Sequence, residues 1–255
     1  EGGVTIDLLL FSTNPNLIDE YSEDELTQLL VKSAVTTQKA TDTVGTGNQA
    51  WSYLILEGED YDSEKDPAEG VGFTRVDVSD TRKSFLESPL LGSNTTASKK
   101  GALFTQTTFG QHIDNVTYKL QFAKPGTYYM YMRFTMFENG GNLAHYLNED
   151  SFFLPPTFGK DPATDWPLSD RGGYTEGCCD AAGFLYIAEK GGGGVRINRS
   201  ADTNHWEGNF HWNSIVSSQF LNPETQGEPR VHFKYEVTAE DVGKPLDFTL
   251  SYREG

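Results

Sequence analysis

The sequence predicts an all-β protein, an antiparallel jelly-roll β-sandwich with a short N-terminal helix in a linker. Three observations carry this. Runs of alternating apolar and polar residues recur along the chain, such as Val116–Phe122 and Thr127–Phe134. Turn residues separate them, as at Lys124-Pro125-Gly126. Helix-forming stretches are few, while Thr, Tyr, Phe and Gly are plentiful. A chain of 255 residues is long enough to bury a large core.

The chain opens on a strand, residues 1–16. Val4, Ile6, Leu8 and Leu10 alternate with Thr5, Asp7, Leu9 and Phe11, so the strand is apolar on both faces toward its end and requires burial. Asn14-Pro15-Asn16 stops it. Residues 17–50 read as a linker. Ser22 with Glu25 forms a capping box, and Leu26, Leu29 and Leu30 give one apolar stripe, predicting a helix over about 23–34. Residues 36–48 are small, polar and aperiodic, the composition of an extended tether.

The sandwich proper is read over 51–255. Its strands are Trp51–Asp62, Gly72–Val78, Ala102–Phe109, the pair 116–122 and 127–134 read as a hairpin, then Gly183–Ala188, Val195–Ile197, Phe210–Ile215, Arg230–Val237 and Leu246–Tyr252. The last of these, read into the first strand as "LDFTLSYREG…GGVTIDLLLFST", looks like two neighbours of one meander. The body 51–255 therefore reads as a sandwich lacking its own last strand, with that strand standing first.

The net charge of −17, with no Lys/Arg cluster, excludes a nucleic-acid surface. No apolar run reaches the roughly 18 residues of a membrane span. Glu1 in place of Met suits a processed N-terminus or an excised fragment. Nucleophile and phosphate-loop signatures are absent, Gly191–Gly194 lacks the following Lys-Ser/Thr, and His112, His205, His211 and His232 show no zinc spacing. Asp and Glu abound, but no motif singles out a glycosidase pair. The expectation is a protein that is not an enzyme.

"LEGEDYD" (56–62), "VTYKLQFAKPGTYYMYMRF" (116–134), "LDFTLSYREG" (246–255) and "GGVTIDLLLFST" (2–13), in framework order, resemble landmarks of carbohydrate-binding modules of families 6 and 35, with the closing strand displaced to the N-terminus. The resemblance covers about a third of the chain and omits the insertions around 81–110 and 138–182. It implies a structural Ca²⁺ at Glu57, Glu59 and Asp7, where hard oxygens from separate segments suit that ion. The alternative is that Glu57 and Glu59 are the solvent face of an edge strand. Asp60, Asp62, Glu64 and Asp66 form a second acidic stretch that serves another cation or none.

For sugars, the stretch 204–213 carries Trp206, His205, His211 and Trp212, and a second loop carries Tyr146 beside His145. Indole stacks on sugar C–H faces while His and Asn bond hydroxyls. Trp206 is the better candidate, because Trp212 sits in a strand pattern. Cys178 and Cys179 are adjacent, which suits a vicinal disulfide in an oxidising compartment or a pair of thiols. Sequons at Asn94, Asn115 and Asn198 are consistent with glycosylation and export.

Two functions follow as expectations. The first is an extracellular structural subunit, secreted or at the cell surface. It forms a homopolymer of identical subunits by donating strand 1–16 through Val4, Ile6, Leu8 and Leu10 into the next body. The second is a polysaccharide-binding module of a secreted carbohydrate-active protein.

Overall fold

The computed structural model describes residues 2–32, 42–65, 73–77, 101–105, 115–138, 151–155, 157–160, 184–186, 210–215 and 232–252. Two antiparallel sheets face each other. The larger holds β1 (Gly2–Ser12), β2 (Asp42–Val44), β3 (Trp51–Glu57), β5 (Phe73–Asp77), β6 (Gly101–Thr105), β8 (Gly126–Glu138), β11 (His211–Ser214) and β12 (Lys234–Val237). The smaller runs β10 (Phe184–Tyr186), β9 (Ser151–Phe153), β13 (Pro245–Tyr252), β7 (Asn115–Gln121) and β4 (Ser63–Lys65). The all-β sandwich expected from the alternating runs is present. Predicted strand 195–197 lies outside the described residues.

Between the sheets the core forms as period-2 alternation dictates. Ile6, Leu9, Phe11, Leu54, Leu56, Met130, Met132 and Phe134 come from one side, and Val116, Tyr118, Leu120, Phe248 and Leu250 from the other. Phe11 sits among rings of both sheets, 5.1 Å from Phe248 and 5.8 Å from Tyr235 between centroids.

Two expected pairings are corrected. Residues 116–122 and 127–134 do not form a hairpin: β7 pairs with β13 and β4, while β8 pairs with β1, β11 and β12. The chain crosses from sheet to sheet at Ala123–Pro125, and the arms face each other through the core, with Phe122 and Tyr128 rings 4.5 Å apart. Likewise β1 is not the neighbour of β13. It lies in the opposite sheet, paired along its whole length with β8 and along Leu8–Ser12 with β3. The slot that β1 fills is therefore between β3 and β8, not beside residues 246–252.

The helix is present and capped as read, and residues 33–34 of its expected span lie outside the described residues. α1 (Leu17–Glu20) precedes α2 (Glu23–Lys32). Ser22 N donates to Glu25 Oε2 at 2.9 Å and Glu25 N to Ser22 Oγ at 3.4 Å, the reciprocal capping box. The Ser22 backbone and hydroxyl hydrogen bonds hold the Glu25 carboxyl below its ordinary range. Within the expected tether, β2 pairs with β3, and residues 33–41 lie outside the described part.

β1 changes neighbours midway. Thr5 and Ile6 pair with Phe104 and Leu103 of β6, whereas Leu8 onward pairs with β3. At the change the register against β8 shifts: Ile6 faces Phe134 and Leu8 faces Arg133, so Asp7 is an extra residue, a β-bulge. Gly58 closes this junction, donating its N–H to Asp7 O at 2.7 Å. A Cβ there would stand 2.6 Å from Ile6 O. Gly58→Ala should therefore cost about 1–3 kcal/mol by overpacking against backbone, read as a lowered midpoint in chemical denaturation with unchanged secondary structure.

Candidate functional site

The site that distinguishes this molecule is the slot occupied by β1. Ile6, Leu8, Leu9, Leu10 and Phe11 are each 0 % exposed. A strand with both faces covered needs apolar residues at consecutive positions, which is why Leu8–Phe11 has no polar member. Of the residues expected to dock the strand, Ile6, Leu8 and Leu10 are buried as read. The Val4 backbone pairs with Met136, and its side chain lies outside the described residues.

The outer face of the larger sheet is covered too. Leu8 and Leu10 join Trp51, Tyr53, Ile55, Tyr131 and Trp212 in a second apolar cluster, roofed by Leu17, Leu26 and Leu29 of the helices. Polar tips of the sheet aromatics reach the helical segment. Trp51 Nε1 donates to Tyr21 OH at 2.9 Å, Trp212 Nε1 to Thr27 Oγ1 at 3.2 Å, and Trp212 N to Glu23 Oε1 at 2.8 Å. Tyr131 OH donates to Asn14 O at 2.9 Å and accepts from Leu17 N at 3.2 Å. Sequence reading missed this roof, although the Leu26/Leu29 stripe signalled that the helix had a surface to cover.

At the bulge, charge collects. Asp7 and Glu57 are fully buried and Arg133 is 4 % exposed. Arg133 donates Nη1 to Asp7 Oδ2 and lies 5.2 Å from the centroid of the Phe210 ring. Glu59 is half-buried at the end of this group, with its Oε2 buried and without a hydrogen-bond partner. Burial, then the Glu57 charge, push the Glu59 carboxyl up to about 8, against a pull from its own backbone N–H; Asp7 and Asp60 add smaller pushes. The three expected cation ligands thus influence one another across the β1–β3 junction. Asp7 has Arg133 as its cation, and among the described residues no three acidic, His or Cys side chains stand in a metal-holding arrangement. In the second acidic stretch, Asp62 Oδ2 accepts from Lys119 N at 2.6 Å and Glu64 Oε2 from Tyr61 OH at 2.7 Å. These two carboxylates hold β4 to its surroundings.

Trp212 is corrected as a sugar ligand: at 5 % exposure its indole is part of the outer cluster and offers no stacking face. The His211 backbone pairs with Phe134, and its side chain lies outside the described residues. Trp206, His205, Tyr146, Cys178, Cys179, Asn94 and Asn198 also lie outside them. Asn115, at 5 % exposure where β7 meets β13 and β4, cannot carry a glycan while that edge is folded. His232 Nε2 lies 2.7 Å from Met130 O, and burial lowers its pKa. An open cleft of about 690 Å³ lies between Asn14, Glu20, Tyr21, Asn48 and Trp51. Its lining is mostly polar and includes the half-buried Tyr21, whose ring meets that of Trp51 edge-on.

No helix among the described residues is long and apolar enough to cross a membrane. Comparison with protein-family models, curated proteins and solved structures finds no match.

Two outcomes follow from the bulge. Arg133→Met leaves buried Asp7 without its guanidinium and should cost about 3–5 kcal/mol, with Asp7→Asn added to it recovering part of the loss; denaturant titration of the single and double variants reads this. Glu59 binds its proton more tightly folded than at its ordinary 4.5. Its stabilising contribution is full below that value and drains away as pH rises toward about 8. The melting temperature of the parent should fall more steeply over this range than that of Glu59→Gln.

Proposed function

We propose that this chain is an extracellular structural subunit of jelly-roll type, related to carbohydrate-binding modules, that joins identical copies head to tail by strand exchange. One observation carries the reading: β1 is a strand buried throughout Thr5–Ser12 and wedged between β3 and β8. Without it the larger sheet falls into three parts, β8 with β11 and β12, β3 with β2, and β6 with β5, leaving the edges of β8, β3 and β6 unpaired above an apolar floor. The five large side chains of Ile6 and Leu8–Phe11 represent on the order of 10 kcal/mol of gross burial. A body whose slot is open must therefore be filled, by its own β1 or by that of a neighbour.

In the single chain β1 fills its own slot. Exchange substitutes the same contacts between copies, so the balance is set by protein concentration against the effective concentration of the strand within its own chain. Head-to-tail exchange of this kind grows open chains unless it closes into a ring. Closure within one chain also favours the second reading, a self-contained polysaccharide-binding module.

Calcium belongs to the same proposal. Glu57 and Glu59 offer hard oxygens, and the partnerless Glu59 Oε2 fits a cation donor set, while Asp7, bonded to Arg133, stands at its margin. Bound there, the ion would favour the strand-filled state by linkage. Calcium should raise the melting temperature and EDTA should reverse it. Indifference to both removes the ion from the proposal.

Mass measurement under non-denaturing conditions tests assembly. Protein unfolded and refolded at high concentration should form ladders of integral subunit mass, which Ile6→Asp and Leu9→Asp abolish. Monomers at every concentration would reject the filament and leave the module.

A further inference from the structure

We propose that the exchanged unit is not the strand alone but residues 2–32, strand and helix pair together, and that its acceptor is the β3–β8–β11 face of a second copy. This rests on the strand-exchange reading above and says which part of the chain moves. The joint between β1 and α1 has no slack. Only Thr13–Asn16 separate Ser12 from Leu17. Those residues are tied to the body and to each other: Thr13 N donates to Ser52 O at 2.9 Å, Asn16 N to Asn14 Oδ1 at 2.9 Å, and Asn14 Nδ2 to Glu20 Oε2 at 2.7 Å. A single hydroxyl, that of Tyr131, clamps both sides of the turn through Asn14 O and Leu17 N. α2 follows α1 after two residues, Tyr21 and Ser22. A helix pair joined so tightly to a strand goes where the strand goes.

The acceptor face makes the same demand. Trp51, Tyr53 and Ile55 of β3, Tyr131 of β8 and Trp212 of β11 form an aromatic floor that Leu17, Leu26 and Leu29 cover. If β1 departed alone, Leu8 and Leu10 would leave that floor as well, and the helices would roof a gap. If the unit departs whole, a body left open exposes slot and floor together, a contiguous apolar surface of a size that proteins rarely leave bare. The same copy that supplies the strand then supplies the roof. The indole N–H groups of Trp51 and Trp212, bonded to Tyr21 and Thr27, give the roof its register on the acceptor.

The test uses full-length chains, one population isotope-labelled, unfolded together and refolded at high concentration. A photo-reactive residue replaces Thr13 at the end of β1 in one preparation and Thr27 of α2 in another. Cross-links in the assembled fraction are read by mass spectrometry as between like or unlike isotopes. Links from Thr27 to the Trp212 strand should join unlike chains in the same proportion as links from Thr13 to the Ser52 strand. Unlike links from Thr13 with only like links from Thr27 would overturn the two-part unit while leaving strand exchange standing. Only like links from both, or no assembled fraction, would overturn strand exchange and this inference with it.

Discussion

Everything in this fold depends on the burial of one strand from four directions. β1 has β8 along one edge, β6 and then β3 along the other, the smaller sheet beneath it and the helices above. Strands in that position are ordinarily interior in both space and sequence. Here the position goes to a segment separated in sequence from its neighbour β3 by a helix pair and the short strand β2, so the sandwich is completed by a piece carried on a long connection. Loop closure grows costly only slowly with length, and the penalty for such an arrangement is small beside the apolar area it buries. What the arrangement gives up is locality. The central strand of the sheet forms no hairpin with any of its partners, and every one of its pairings is long-range.

Much of the framework was legible because it obeys periodicity. Leu54 and Leu56, Leu120 and Phe122, and Met130, Met132 and Phe134 all fall on the core side that alternation assigns them. The capping box at Ser22 placed the start of α2. What periodicity could not supply was who sits beside whom. Two alternating runs joined by Lys124-Pro125-Gly126 satisfy a hairpin and a sheet-to-sheet crossing equally well, because both point apolar faces inward. The same ambiguity misplaced β1 beside β13, when Phe11 and Phe248 meet across the core instead. Pairing partners are decided by tertiary packing, and a pattern of period 2 is silent on it.

The charged junction was legible in part, and for a different reason. Glu57, Glu59 and Asp7 were singled out by resemblance, and the structure brings them into mutual electrostatic reach at the meeting of β1, β3, β6 and β8. Arg133 was not foreseen. In the run Tyr129–Phe134 it stands at an outward position of an alternating strand, where an arginine normally meets water. There the buried Phe210 ring, far away in sequence, lies 5.2 Å from the guanidinium, and Arg133 is a buried cation.

That buried pair has a meaning for alignment. Leu8, Leu9, Leu10 and Phe11 are all apolar, so a slide of the strand by one residue keeps an apolar side chain on each face and is opposed there by shape alone, chiefly that of Phe11 among its rings. The hydrophobic segment supplies adhesion and only part of a reading frame. The rest comes from the bulge: one misstep carries Asp7 off Arg133 and leaves two opposite charges stranded in hydrocarbon. A single carboxylate thus serves as the index mark of a largely apolar tongue, and only one seating of it in its slot satisfies every charge.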